Sequence, residues 1–160
     1  MEITPSLLAM LEAEAKRAEQ DGITLCIVGA VVVWNGAVLL LTRAADDDYL
    51  PGHLEFPGGG RDPGESLLDA LAREIREETG LTIQRVRQYV GSVDYRNSEG
   101  KARRRFTFVI EPETNAVILD PVEHSAFIWL PCSEKDALEP FPMSDFMRGT
   151  IRDLMAQIAG

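Results

Sequence analysis

The sequence predicts a mixed α/β chain, a mixed sheet sandwiched between helices. Three observations carry that prediction. An apolar, β-branched run at residues 24–34 and a segment at 104–111 with Phe106 and Phe108 on one face read as strands. Amphipathic stretches near residues 5–20, 66–79 and 143–158 read as helices interleaved with them. The chain has 160 residues, 45% of them hydrophobic, which suits one domain with a full core.

The elements follow in order. Residues 5–20 form a helix with Leu7, Leu8, Leu11, Ala15 and Ala18 on one side. Thr24 to Trp34 is a buried strand. Asn35-Gly36 is a hairpin-turn signal, because both residues accept positive φ, and Ala37 to Thr42 is the return strand. Asp46 to His53 is a polar loop. It leads into Leu54-Glu55-Phe56-Pro57-Gly58-Gly59-Gly60, where three glycines let the backbone approach a ligand closely. A helix runs from about Ser66 to Thr79. Its buried stripe is Leu67, Leu71 and Ile75, Asp62 or Ser66 caps its start, and Gly80 stops it. Thr82 to Tyr95 is one long or bent strand, Asn97 to Lys101 a turn, and Arg104 to Glu111 a strand with Phe106 and Phe108 on one face. Ala116 to Leu119 is a short strand, Ala126 to Leu130 another, and residues 143–158 a closing helix.

Charge narrows the function. A formal net charge of −10 argues against polymeric nucleic acid, whose phosphates would be repelled. A small phosphate ester arriving with a cation is compatible, because the metal reverses the local sign. Cys26 and Cys132 lie far apart among apolar neighbours and read as buried free thiols, which favours a reducing cytoplasm. No run approaches a membrane span, and the charged first twenty residues do not resemble a signal peptide.

The chemistry concentrates on the central helix. Residues three and four apart share a helix face, so Glu74, Glu77 and Glu78 point the same way. Three like charges on one face destabilise an isolated helix. A bound hard cation, Mg²⁺ or Mn²⁺, is the compensation the pattern suggests.

These residues carry a resemblance. From Gly59 to Leu81 the chain reads G-x5-E-x7-R-E-U-x-E-E-x-G-U, with U apolar, and it matches the Nudix box at every fixed position. The resemblance implies the Nudix α/β/α sandwich with a mixed central sheet. It also implies a Nudix hydrolase domain over residues 23–160, with residues 1–22 as an N-terminal helical extension. It implies that Glu74, Glu77 and Glu78 are catalytic metal ligands, with the carbonyl of Gly58 as a further ligand. Arg73 orients a glutamate, with Glu65 as its partner. The general base is Glu74 by first choice, and Glu99, Glu111, Glu113 and Glu123 stay open as alternatives.

A narrower similarity points to the MutT-type branch. It rests on Thr42-Arg43-Ala44-Ala45-Asp46 with the Leu54 to Gly59 segment, and on Phe141-Pro142-Met143-Ser144-Asp145. It implies nucleotide contact by Arg43 and base reading by Asp145, a carboxylate that accepts hydrogen bonds while ionised. Capping of the last helix is the other reading of Asp145, a role Ser144 could also fill. Arg105 and Gly59 complete the substrate-binding set. In the basic run, Lys101 and Arg103 read as a solvated hairpin edge. His124 precedes Ala126 to Leu130, a spot the resemblance sets near the pocket, but it reads as a surface histidine, and Trp34 and Trp129 read as packing residues.

The function so implied is a Mg²⁺-dependent pyrophosphohydrolase. It would cleave a nucleoside di- or triphosphate derivative, such as an oxidised deoxynucleotide like 8-oxo-dGTP, to a monophosphate and pyrophosphate. The alternatives are hydrolysis of a nucleotide sugar or dinucleotide, and a non-catalytic nucleotide-binding module. The isomerase seen on the same fold calls for an additional cysteine, which has no clear counterpart here, and for metal-binding histidines, of which this chain offers only His53 and His124. A homodimer through the N-terminal helix is possible.

Overall fold

The computed structural model describes residues 1–48 and 50–159. Tyr49, in the predicted polar loop, and Gly160, at the end of the predicted domain, lie outside the described residues. So do the side chains of Lys135, Ala137, Met155, Ile158 and Ala159.

Helix α1 (Pro5–Gln20) starts at Thr4, whose hydroxyl accepts from the Leu7 N–H, with Pro5 at the first helical position. Strands β1 (Leu25–Trp34) and β2 (Ala37–Arg43) are joined by Asn35-Gly36, with φ of 46° and 76°. Paired positive φ values match the twist of a two-residue hairpin, and Val33 faces Val38 across it. Two short strands follow, β3 (Leu54–Glu55) and β4 (Gly58–Gly60). Helix α2 (Leu67–Thr79) is capped by Ser66, whose hydroxyl accepts from the Asp69 N–H. It ends at Gly80 in the left-handed region, φ 69°. Strand β5 (Ile83–Arg96) is bent by three register shifts against β6 (Ala102–Pro112). Strand β7 (His124–Pro131), a 3₁₀ segment (Cys132–Leu138) and helix α3 (Asp145–Ala159) complete the chain.

The sheet is mixed. Its main path runs β3-β2-β1-β6-β5, with β4 added on β1 and β7 on β2. Strands β1 and β6 are parallel over Leu25↔Arg103 to Val32↔Ile110, and the other strand pairs are antiparallel. Side chains alternate across a strand, so each inner strand feeds two cores. Val28, Ala30 and Val32 of β1, Leu39 and Leu41 of β2, and Phe106, Phe108 and Ile110 of β6 pack under α2 and α1. Val31, Val33, Val38, Leu40 and Val109 turn the other way and pack with Met147, Ile151 and Leu154 of α3. The predicted α/β/α sandwich is therefore the observed architecture. Helix α1 inserts Leu11 and Ala18, 2% and 1% exposed, into the same core as α2. Leu8, predicted on its apolar side, is exposed.

One predicted strand is absent. Ala116 to Leu119 is irregular, and Ile118 is 75% exposed. The Ile118 N–H donates to the Thr79 carbonyl at 2.9 Å, so this segment satisfies the last turn of α2 instead of a sheet edge. Cys26 is buried, Cys132 is half-buried, and both thiols are free. No helix among the described residues is long and apolar enough to cross a membrane.

Candidate active site

The glycine loop and α2 build one wall of a cleft of about 420 Å³. Strand β4 lies antiparallel to β1, with Val28 opposite Gly59 and Gly29 opposite Gly58. A Cβ at Gly58 would overlap the Val28 carbonyl, and one at Gly59 would overlap the Glu74 carboxylate. The two glycines thus serve different needs: Gly58 lets two backbones meet, and Gly59 makes room for an acid.

Arg73 ties the loop to the helix. Its Nε and Nη2 donate to the two oxygens of Glu65 at 2.7 and 2.9 Å, and Nη2 also donates to the Gly60 carbonyl at 2.8 Å. Its Nη1 donates to Glu74 at 2.8 Å and to Glu77 at 3.3 Å. These bonds from Arg73, then one from the Asp62 N–H, hold the Glu65 carboxyl down at about 2. The expected Arg73–Glu65 pair is present, in the two-pronged geometry that guanidinium favours.

The three box glutamates differ in setting. Glu78 is 6% exposed and accepts from the Gly58 N–H at 2.8 Å. Burial, with Glu123 and Glu55 close by, pushes its carboxyl up to about 9 against that hydrogen bond. Glu74 lines the cleft, and burial raises its pKa against the opposing pull of Arg73. Glu77, with its side chain 58% exposed, stands outside the cleft lining and reaches Arg73.

Residues from β2, β3 and the segment just before β7 complete the cleft. Register explains their meeting. Strand β2 lies between β3 and β7, with Leu41 opposite Glu55 and Arg43 opposite His124. Arg43 donates to Glu55 at 2.8 Å and to Asp47 at 2.6 Å. His124 Nε2 lies 2.6 Å from the other Glu55 oxygen. Burial disfavours the charged Glu55 carboxylate, but the bonds to His124 and Arg43 outweigh it and lower its pKa. Ligating atoms of Glu78, Glu123 and His124 lie within 4.8 Å of one another.

His124 corrects an expectation. It is not a surface histidine but is 1% exposed. Its strand position beside β2 turns it inward, where Glu55 meets it. Of the candidate bases outside the box, only Glu123 lines the cleft. Glu99 pairs with Lys101, Glu111 pairs with Arg85 and Arg87, and Glu113 is exposed elsewhere. Glu55 was legible only as part of the loop sequence. Its position directly before Phe56-Pro57-Gly58-Gly59 was the available signal.

Arg105 reaches the cleft from β6. Its guanidinium lies over Gly29, where a Cβ would come within 2.8 Å of Nη2. Its neighbour Arg104 is structural, bonded to Asp94 at 2.6 and 2.8 Å and to Asp21 at 2.9 Å. Arg105 also lines a second cleft of about 630 Å³, with Val93, Tyr95, Arg96, Asn97, Ser98 and Phe146. Asp145 lines neither of these clefts; it is exposed at the first position of α3, next to Phe146. The cap of α3 is Ser144, whose hydroxyl accepts from the Met147 N–H.

A carboxylate cluster sharing one cleft with two arginines and a glycine loop suits a cation and the phosphates it accompanies. The donor set fits a divalent ion, since the buried Glu78 carboxyl is crowded by the acids Glu123 and Glu55. The profile of the NUDIX domain matches residues 26–154. The CTP pyrophosphohydrolase of Escherichia coli (strain K12) is 35% identical over 118 residues, 74% of this chain and 82% of the relative. Nucleoside triphosphatase NudI of Enterobacter sp. (strain 638) is 45% identical over 58 residues, 36% of this chain and 41% of the relative. The crystal structure of a MutT NUDIX hydrolase from Burkholderia pseudomallei is similar with a TM-score of 0.67 and 25% identity. The match covers 80% of this chain and 95% of that one. Box, fold and profile agree that the chain belongs to the Nudix hydrolase family.

Proposed function

We propose that this chain is a divalent-metal-dependent nucleoside triphosphate pyrophosphohydrolase, releasing a nucleoside monophosphate and pyrophosphate. The observation that carries the reading is the cleft itself, lined by Glu74, Glu78 and Glu123 together with Arg43 and Arg105. The relatives named for CTP and for nucleoside triphosphates support the substrate class.

Glu78 and Glu123 would hold the ion, Mg²⁺ or Mn²⁺, with the Gly58 carbonyl as a backbone ligand. Glu77 joins as a more distant acid. When bound, the ion supplies charge neutralisation of phosphate oxygens and a more acidic water. Arg43 would bind phosphate, with its guanidinium held in position by Glu55 and Asp47. Arg105 sits between the two clefts and binds where phosphate gives way to nucleoside. Glu74 is assigned the base. Arg73 holds one of its oxygens, and the other lies against Gly59 inside the cleft, free to take a proton. Arg73 itself positions Glu74 and does not touch substrate in this reading.

The test is a panel of nucleoside triphosphates, including CTP and 8-oxo-dGTP, with a nucleotide sugar and a dinucleotide, in Mg²⁺ or Mn²⁺. Monophosphate and pyrophosphate are the expected products. Glu78→Gln should lower kcat by several orders of magnitude in a folded protein. Full turnover in excess EDTA, or in Glu78→Gln, would sink the proposal. Binding of nucleotides without turnover would favour a non-catalytic module.

A further inference from the structure

We infer that His124 supplies a nitrogen ligand to the ion held by Glu78 and Glu123, and that the site therefore prefers a first-row transition ion such as Mn²⁺ over Mg²⁺. This rests on the metal-dependent reading above.

Three observations converge on His124. It is 1% exposed, so its ring nitrogens have no bulk water to satisfy them. A ligating nitrogen lies within 4.8 Å of carboxylate oxygens of both Glu78 and Glu123, which are equally close to each other. Its Nε2 is engaged by Glu55 at 2.6 Å, whereas Nδ1 is buried with no hydrogen-bond partner.

The chemistry of imidazole joins them. A neutral ring has one N–H and one lone pair. Glu55 is acceptor-only while ionised, and its contact with Arg43 keeps it so. The proton therefore sits on Nε2, and Nδ1 carries a lone pair with nothing to receive it. A buried acceptor left unmet is costly and rare. A water molecule would satisfy the nitrogen, but the carboxyl groups of Glu78 and Glu123 in the same cluster also need a cation once they ionise. A cation does both. The resulting order, carboxylate then imidazole then metal, is the arrangement by which proteins fix the tautomer of a ligating histidine. It also fixes selectivity, because Mg²⁺ takes oxygen ligands, whereas a nitrogen ligand strengthens binding of transition ions.

The chain has two histidines, so the other can be removed. His53 lies outside the cluster, with Nδ1 at 3.4 Å from the Pro51 carbonyl. His53→Gln protein, made with natural-abundance and with ¹⁵N-labelled histidine, would be loaded with Mn²⁺ and examined by pulsed electron paramagnetic resonance. The expected result is a directly bound nitrogen whose coupling changes from the ¹⁴N to the ¹⁵N pattern on labelling. This arm leaves residue 124 intact, so it survives any folding defect of a variant there. In a second arm, His124→Gln should weaken Mn²⁺ binding about ten- to a hundredfold. Mg²⁺, measured by competition, should weaken less. Mn²⁺ that is lost on Glu78→Gln but shows no label-dependent coupling overturns the nitrogen ligand and leaves the metal reading standing. Mn²⁺ binding that ignores Glu78→Gln overturns both.

Discussion

Glu78 concentrates the electrostatic tension of the site in one residue. Its carboxyl, ordinarily near 4.5, is pushed to about 9 by burial and by the neighbouring acids. Between those values the folded chain holds the proton more tightly than the unfolded chain does. The stability tied to this group is whole below about 4.5 and is lost as pH rises towards 9. Metal-free protein should therefore show a falling Tm across this window, and Glu78→Gln should flatten the fall. A divalent ion replaces the proton, so it should restore Tm most at the alkaline end. Superimposable pH profiles for wild type and variant, both metal-free, would contradict this account. The adjacent glycines make a second prediction at the same scale. Gly58→Ala meets the rigid Val28 carbonyl, so it should lower Tm by several degrees or prevent folding. Gly59→Ala meets the movable end of Glu74, so the fold should survive while kcat falls. Equal melting losses in the two variants would refute the distinction.

Helix α2 shows how one element serves both fold and site. Leu71 and Ile75 are fully buried, and Glu74 and Glu78, three and seven residues on from Leu71, lie beside that buried face and line the cleft. Leu71→Ala should cost about 2–5 kcal/mol of stability. Below its lowered Tm the variant should keep near-normal turnover. Arg73→Lys should behave in the reverse way. Lysine is a point charge and cannot span Glu65, Gly60 and Glu74 at once. Little loss of Tm with a ten- to hundredfold loss of kcat is expected, about 1.4–2.8 kcal/mol of barrier. Unchanged kcat would show that Arg73 serves the fold alone. This element was the most legible part of the chain. Its cap, stop signal, apolar stripe and acids are all set by local spacing, and Ser66, Gly80, Leu71 and Glu78 stand as that spacing predicts. The Asn35-Gly36 hairpin was legible for the same reason. Ala116 to Leu119 misled, because its backbone meets the end of α2, where the Ile118 N–H donates to Thr79, rather than a strand neighbour.

Across the whole molecule, legibility falls with sequence separation. Arg43, Glu55 and His124 meet because β2 lies between β3 and β7, and no local pattern reports that register. His124 looked like a surface residue for want of the neighbour that buries it. Long-range placement also separates chemistry from recognition. The acids occupy one cleft, and Tyr95, Asn97 and Phe146 line another, with Arg105 common to both. If the second cleft seats the base, Asp145 is the acid next in sequence to its lining residue Phe146. With the cap supplied by Ser144, the Asp145 carboxylate is not needed to start α3. Asp145→Ala should then leave Tm nearly unchanged and raise KM for the preferred nucleotide, with kcat affected less. A hydrogen bond to a charged group is worth about 1.5–3 kcal/mol, so discrimination among bases should flatten about ten- to a hundredfold. Asp145→Asn keeps the shape but turns one end into a donor, so the preferred base should shift rather than vanish. Steady-state kinetics over the four ribonucleoside triphosphates and their deoxy forms would read both effects. If the two variants keep the wild-type ranking, Asp145 has no part in recognition, and selectivity belongs to Arg105 and the aromatic lining of the second cleft.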